Sequence, residues 1–255
     1  MMPGPPSAPE CRASSTTVAR TTVQSSRRLE CRSSSHCRRP SMPERVTIAW
    51  EGGTVSGRFV PANGSTGVLL AHGAGLGQDH EWMVYVRDGL AAAGIPVMTF
   101  DYPYMEAGRK APNPARILLA CHRAALAELR TRVVRVVLAG KSMGGRMGSH
   151  VAADGEDVAG LVFYGYPLVG VGKTEPRDVS HLADVGAPML FVQGTRDRMA
   201  PLDLIEPVVE STPDTTIHII EDGDHSFRVL KRTGREPFEV LDEVVAATAD
   251  WISTL

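Results

Sequence analysis

The chain lacks any apolar run of about 18 or more residues, the length needed to cross a bilayer, so a membrane span is not expected. It also lacks an excess of charge. Across 255 residues, 27 Lys and Arg face 29 Asp and Glu, a formal net charge of −2. That balance argues against a broad nucleic-acid footprint, which needs a basic surface. Cysteine is scarce, and four residues without regular spacing do not make a disulfide framework. A reducing, cytoplasmic setting is the simpler expectation. No internal repeat is present. What remains is an ordinary globular mixture, 43% hydrophobic and 22% charged, with apolar material for one full core.

Residues 1–41 stand apart from the rest. They are rich in Ser, Thr, Pro and Arg. Seven arginines there oppose Glu10 and Glu30, a net +5 that leaves −7 for residues 42–255. Such a stretch cannot bury enough apolar area to offset its ordering entropy, and disorder is expected. It has no apolar core for a secretory signal. Its composition suits a transit peptide, but its Ser, Thr and Pro content opposes the amphipathic helix such a peptide needs. Cys31, His36 and Cys37 lack paired ligand spacing, and no metal site is expected. Met42 therefore reads as the true start, with 1–41 a tail and 42–255 a single domain.

From Met42 onward, strands and helices alternate. Val46–Trp50 and Thr54–Val60 read as a hairpin around Glu51-Gly52-Gly53. Further strands are expected at Val68–Ala71, Pro96–Phe100, Val136–Ala139, Gly160–Tyr164, Pro188–Val192 and Thr216–Ile220. Helices are expected at Trp82–Ala93, with Gly94 as its stop, and after Asn113 as cap with Pro114 in first position. The latter helix places Leu118, Cys121, Ala125 and Leu129 on one face, which makes Cys121 a core residue. Two more are expected, at Met143–Ala153 and at Pro237–Trp251, the last with Phe238, Leu241, Val245 and Ile252 inward. Strands that are apolar throughout are buried on both faces. The fold class is therefore α/β, a mostly parallel sheet sandwiched by helices.

Three glycine-rich sites compete for the chemistry. Gly140-Lys141-Ser142 resembles the end of a phosphate-binding loop, but the required upstream glycine is Arg135 and the intervening residues form a strand. Gly73-Ala74-Gly75-Leu76-Gly77, with Asp101 beyond, resembles a dinucleotide fingerprint, but its third glycine is Gln78. The reading that survives is Gly140-Lys141-Ser142-Met143-Gly144, a Gly-x-Ser-x-Gly followed by Gly145. It falls between a strand and a helix, where a nucleophile needs a strained turn and small neighbours on either side.

A serine hydroxyl needs a general base. Among eight histidines, His225 is the one in a loop after the last strand, where such a sheet gathers its site. The base needs a carboxylate to fix its tautomer. Asp197, just after the Pro188–Val192 strand, completes the order Ser, Asp, His found in this architecture. Asp222 and Asp224 share one short loop with His225 and are poorly placed to reach its far nitrogen. Asp203 is expected to cap a helix. The oxyanion donors are expected from the backbone amides of Met143, at a helix start, and of Ala74, in His72-Gly73-Ala74-Gly75. His72 is expected to brace that loop. Gly73, Gly75, Lys141, Tyr102 and Tyr166 are expected to line the substrate site, with Tyr104 nearby.

In combination, several segments carry a resemblance. They are Leu70-Ala71-His72-Gly73-Ala74-Gly75, Gly140 to Arg146, Tyr164-Gly165-Tyr166-Pro167-Leu168, Phe191 to Asp197, and Asp224-His225-Ser226. Residues 46–254 resemble an α/β-hydrolase. More narrowly they resemble the testis-expressed 30 and NSL-complex subunit 3 group, a branch akin to dienelactone hydrolases. One departure is Lys141, where related sequences commonly carry Arg, at a position expected to point beside the nucleophile and touch selectivity. The resemblance implies a serine-hydrolase site and does not fix a substrate. The residues themselves point to acyl transfer to water from a small ester or related acyl compound, with no metal or organic cofactor needed. The segment before Pro188 is too short for a large cap, so an open cleft is expected. The group also includes non-enzymatic scaffold subunits, so a binding protein on the same fold is the alternative.

Overall fold

The computed structural model describes residues 42–170 and 172–255. The expectations for residues 1–41, including the tail and the choice of Met42 as start, lie outside the described residues. Eight strands form one sheet: β1 (Glu44–Trp50), β2 (Gly53–Val60), β3 (Thr66–Ala71), β4 (Val97–Phe100), β5 (Arg135–Lys141), β6 (Gly160–Tyr164), β7 (Met189–Gly194) and β8 (Thr215–Ile220). Their order is β1-β2-β4-β3-β5-β6-β7-β8. Only β2 runs against its neighbours; all other adjacent pairs are parallel.

The parallel strands are apolar throughout because both faces are covered. Val68 and Leu70 of β3 enter one core, while Leu69 and Ala71 enter the other. Helices α1 (Glu81–Ala92) and α6 (Pro237–Ile252) cover the first face. The second is covered by α3 (Ala115–Arg130), α4 (Met143–Ala153) and α5 (Leu202–Ser211). A one-turn helix, α2 (Pro103–Glu106), follows β4. Between β6 and β7 the described residues form only a bridge between Val169 and Pro176 and a 3-10 turn, Ser180–Asp184, so no cap domain is built there. Among the described residues, no helix is long and apolar enough to cross a membrane.

Cys121 is buried in the core of α3 as expected, and burial pushes its thiol up to about 12. Three local expectations are corrected. Asn113 does not cap α3; Pro114 holds the cap position, with no side-chain cap bond. Asp203 sits in the first turn of α5 without capping it, since Pro201 precedes the helix. On α6, Leu241 and Val245 pack partly buried against the core and Ile252 is buried, as expected, but Phe238 is 53% exposed and the fully buried stripe is Val240, Val244, Thr248 and Ile252. The polar Thr248 disguises that stripe in the sequence. Its hydroxyl is satisfied by the Val244 carbonyl at 2.8 Å and the Tyr164 hydroxyl at 3.1 Å, which removes the cost of burying it.

The sheet order fixes where a site can form. From β3 the chain moves to β4 on one side, then returns to β5 on the other. At such a switch point the loops leaving the carboxyl ends diverge and open a crevice. Here those loops begin at His72 after β3 and at Ser142 after β5.

Candidate active site

Ser142 joins β5 to α4 with φ 51° and ψ −112°, a conformation that costs of order 1–3 kcal/mol for a residue with a side chain. Its neighbours make the turn possible. A Cβ on Gly140 would collide with the backbone of Gly144 and Gly145, and one on Gly144 with the Ala71 carbonyl. The serine is thereby lifted out of both elements, and its amide donates to the Tyr164 carbonyl at 3.0 Å.

The hydroxyl meets an imidazole that comes from far along the chain. Ser142 Oγ lies 2.9 Å from His225 Nε2, and His225 Nδ1 lies 2.8 Å from Asp197 Oδ2. A carboxylate only accepts, so Nδ1 carries the proton and Nε2 is free to accept from the serine. Asp197 is held on both oxygens: Oδ1 accepts from the Met199 amide at 2.8 Å and Oδ2 from the Gln193 side chain at 3.1 Å. Burial alone would push its carboxyl up. The hydrogen bond and charge of His225, with the Met199 and Gln193 donors, outweigh burial and hold it below the usual carboxylate value. Asp222 and Asp224 are engaged elsewhere: Asp222 accepts from Arg232, and Asp224 from the amides of Ser226 and Arg228.

The loops that carry the pair are brought together by two glycines. A Cβ on Gly194, at the end of β7, would run into the Gly223 carbonyl. Gly165, after β6, has φ +66°, and a Cβ there would lie 3.1 Å from His225 Nδ1 and 3.2 Å from Asp197 Oδ2. Gly165 and Gln193 also shape the site, although neither residue type signals a nucleophile, base or acid. Gly165 was legible as the one small residue between two tyrosines at a strand end.

Beside the serine lies the turn after β3. A Cβ on Gly73 would sit 3.6 Å from Ser142 Cβ. His72 braces this turn: its Nε2 accepts from the Tyr102 amide at 3.0 Å, so Nδ1 carries the proton and donates to the Gly73 carbonyl at 2.8 Å. Burial lowers its pKa and keeps it neutral. The Tyr104 hydroxyl holds the Ala74 carbonyl at 2.9 Å. Ala74 and Gly75 face open space. Met143 opens α4, so its amide has no intrahelical acceptor. Neither the Ala74 nor the Met143 amide donates to another group among the described residues.

Three expected lining residues are corrected. Tyr102 and Tyr166 are fully buried and line no cleft. Tyr102 bonds His122 at 2.9 Å, and Tyr166 bonds Ser149 at 3.1 Å. Strand-end aromatics turn inward here because buried partners wait for their hydroxyls. Lys141 is likewise buried and lines no cleft. The open depression next to His225 is lined instead by Arg196, Arg198, Met199, Asp224 and Ser226.

An eight-stranded sheet with its second strand reversed, and a Ser-His-Asp chain at its carboxyl edge, defines an α/β-hydrolase. The chain belongs to the alpha/beta hydrolase domain family, whose model matches residues 64–253. Solved structures share the fold. A dienelactone hydrolase from Anabaena variabilis is 23% identical, covers 85% of this chain and 99% of its own, and superposes with a TM-score of 0.67. The esterase Pf2001 of Pyrococcus furiosus is 17% identical over 80% of this chain and 90% of its own, with a TM-score of 0.63. A serine hydrolase without lid from Xanthomonas campestris is 18% identical over 82% and 95%, with a TM-score of 0.64.

Proposed function

We propose that the protein is a serine hydrolase that cleaves a small ester or related acyl substrate through an acyl-enzyme. The observation that carries this is the unbroken hydrogen-bonded chain from buried Asp197 through His225 to a serine on a strained elbow. Ser142 Oγ attacks the acyl carbon while His225 Nε2 takes its proton. The oxyanion is held by the Met143 and Ala74 amides, each worth about 3–4 kcal/mol of barrier. The C–O bond to the leaving group breaks, and His225 returns the proton to that oxygen. Water then attacks the acyl-enzyme, with His225 again as base, and releases the acid and Ser142. Asp197 keeps the imidazole in the required tautomer and stabilises its charged form.

The uncapped carboxyl edge supports exposed or short acyl groups. The narrower likeness to the testis-expressed 30 and NSL-complex subunit 3 branch belongs to this reading, as does a cytoplasmic setting, supported by the cysteine usage. A fluorophosphonate probe tests the proposal. Wild type should label and Ser142→Ala should not, and a panel of short acyl esters and thioesters then ranks the substrate class. Folded wild type that neither labels nor turns over any ester would favour a binding protein on this fold.

A further inference from the structure

One buried charge has no part in the reaction described above. Lys141 is 2% exposed and is the last residue of β5, directly before the nucleophile. Its Nζ donates to the Tyr164 carbonyl at 3.4 Å and to the His225 carbonyl. The ammonium also lies over two neighbouring aromatic rings, 5.9 Å from the centre of Trp82 and 5.4 Å from that of Phe227. No carboxylate forms an ion pair with it among the described residues. Burying an ammonium without such a partner costs several kcal/mol, and an apolar side chain of equal length would fill the same space without that cost.

The position of the contact suggests what offsets it. The segment 224–228 carries His225 but is otherwise tied to itself: Asp224 N–H bonds Arg228 O, Phe227 N–H bonds Asp224 O, and Asp224 Oδ1 takes the amides of Ser226 and Arg228. Among the described residues, the Lys141 ammonium is the one hydrogen-bond donor that joins this segment's main chain to the sheet.

We propose that Lys141 is a positioning residue for His225: its ammonium pins the His225 carbonyl to the carboxyl end of β6, and so holds the imidazole in register with Ser142. The proposal rests on the serine-hydrolase reading and deepens it. The groups facing the ammonium are Asp197 from the turn after β7, Asp224 and His225 from the loop after β8, the Tyr164 carbonyl from β6, and the Trp82 ring from α1. Burial lowers the lysine to about 8, with Asp197 and Asp224 opposing that fall. The grip should therefore loosen as pH rises through that value. An arginine, which does not titrate there, should keep it.

The test is ester hydrolysis by full-length wild type, Lys141→Met, Lys141→Arg and Ser142→Ala across neutral to alkaline pH, with fluorophosphonate labelling alongside. Lys141→Met should lower kcat by about 10- to 100-fold through a misplaced base, with KM changed by less than about threefold. Lys141→Arg should recover most of the loss, and its alkaline limb should move up by at least about one pH unit. A Lys141→Met enzyme with wild-type kcat overturns the proposal, and so does a Lys141→Arg enzyme whose alkaline limb stays in place. Should Lys141→Met fail to fold by its thermal melt, the Lys141→Arg profile decides alone. Wild type that neither labels nor hydrolyses removes the serine-hydrolase reading and this proposal with it; wild-type activity lost in Ser142→Ala but untouched at Lys141 removes this proposal only.

Discussion

Among the described residues two serine–histidine contacts have equal length, and they differ in almost everything else. Ser142 Oγ and His225 Nε2 are 2.9 Å apart, as are Ser149 Oγ and His181 Nε2. Ser149 lies inside α4, buried, with no strained backbone. Its single proton goes to the Arg146 carbonyl one helical turn back, at 2.8 Å. His181 Nε2 must then donate to Ser149, so the contact runs in the direction opposite to general-base catalysis. Among the described residues no carboxylate hydrogen-bonds His181, which stacks instead on His150 with ring centres 3.7 Å apart. Burial, with the charges of His150 and Arg146, pushes His181 down to about 4 and makes it a weak base. At the other contact the serine hydroxyl has no competing acceptor among the described residues, and Asp197 holds the imidazole. Distance alone does not define a nucleophile and base; the direction of the proton and the third group do.

The strongest way to break this contrast is to remove the third group. On the proposed reading, Asp197→Asn should lower kcat by about 10⁴-fold by favouring the wrong tautomer, measured on the best ester of the panel. Ser149→Ala should leave kcat within about threefold, since it removes only a structural hydroxyl worth about 1 kcal/mol. Loss of activity at Ser149 comparable to that at Asp197 would erase the distinction drawn here.

A smaller effect is expected at Gly165. An alanine there meets both the imidazole and the carboxylate at a positive φ. Gly165→Ala should lower kcat by about 10- to 100-fold with fold retained, checked by kinetics and a thermal melt. Wild-type kcat would show that the pair tolerates displacement.

The smallest effect concerns His181. Its folded value, about 4, lies below its ordinary 6.5. The unfolded chain therefore binds this proton first on acidification. The stabilisation is fully present above 6.5 and is lost as pH falls toward 4. Urea midpoints between pH 7 and 4 should fall less steeply in His181→Gln than in wild type. An unchanged slope would mean that His181 does not remain neutral in the folded protein.

The strained serine turn was legible because it is local. Gly140, Gly144 and Gly145 stand within three residues of Ser142, so the steric demand and the residues that meet it share one segment. Asp197 and His225 were legible by position, since each follows a strand whose carboxyl end faces the same edge. Tyr102, Tyr166 and Lys141 were not, because their surroundings come from segments distant in the chain. The His225 carbonyl that Lys141 grips is 84 residues away. From the sequence, a polar side chain next to a nucleophile reads as substrate-facing. Only the folded sheet reveals which way it turns.

Pattern and composition by themselves determined the α/β alternation, the buried parallel strands and the glycine-flanked serine, because these follow from backbone sterics and from apolar periodicity within single segments. The packing of loops from several strand ends decided what no segment encodes alone: the direction of each proton, the burial of the lysine, and which of two equal contacts is backed by a carboxylate. Hydrogen-bond polarity and desolvation depend on every neighbour a group acquires, and those neighbours exist only once the chain has closed on itself.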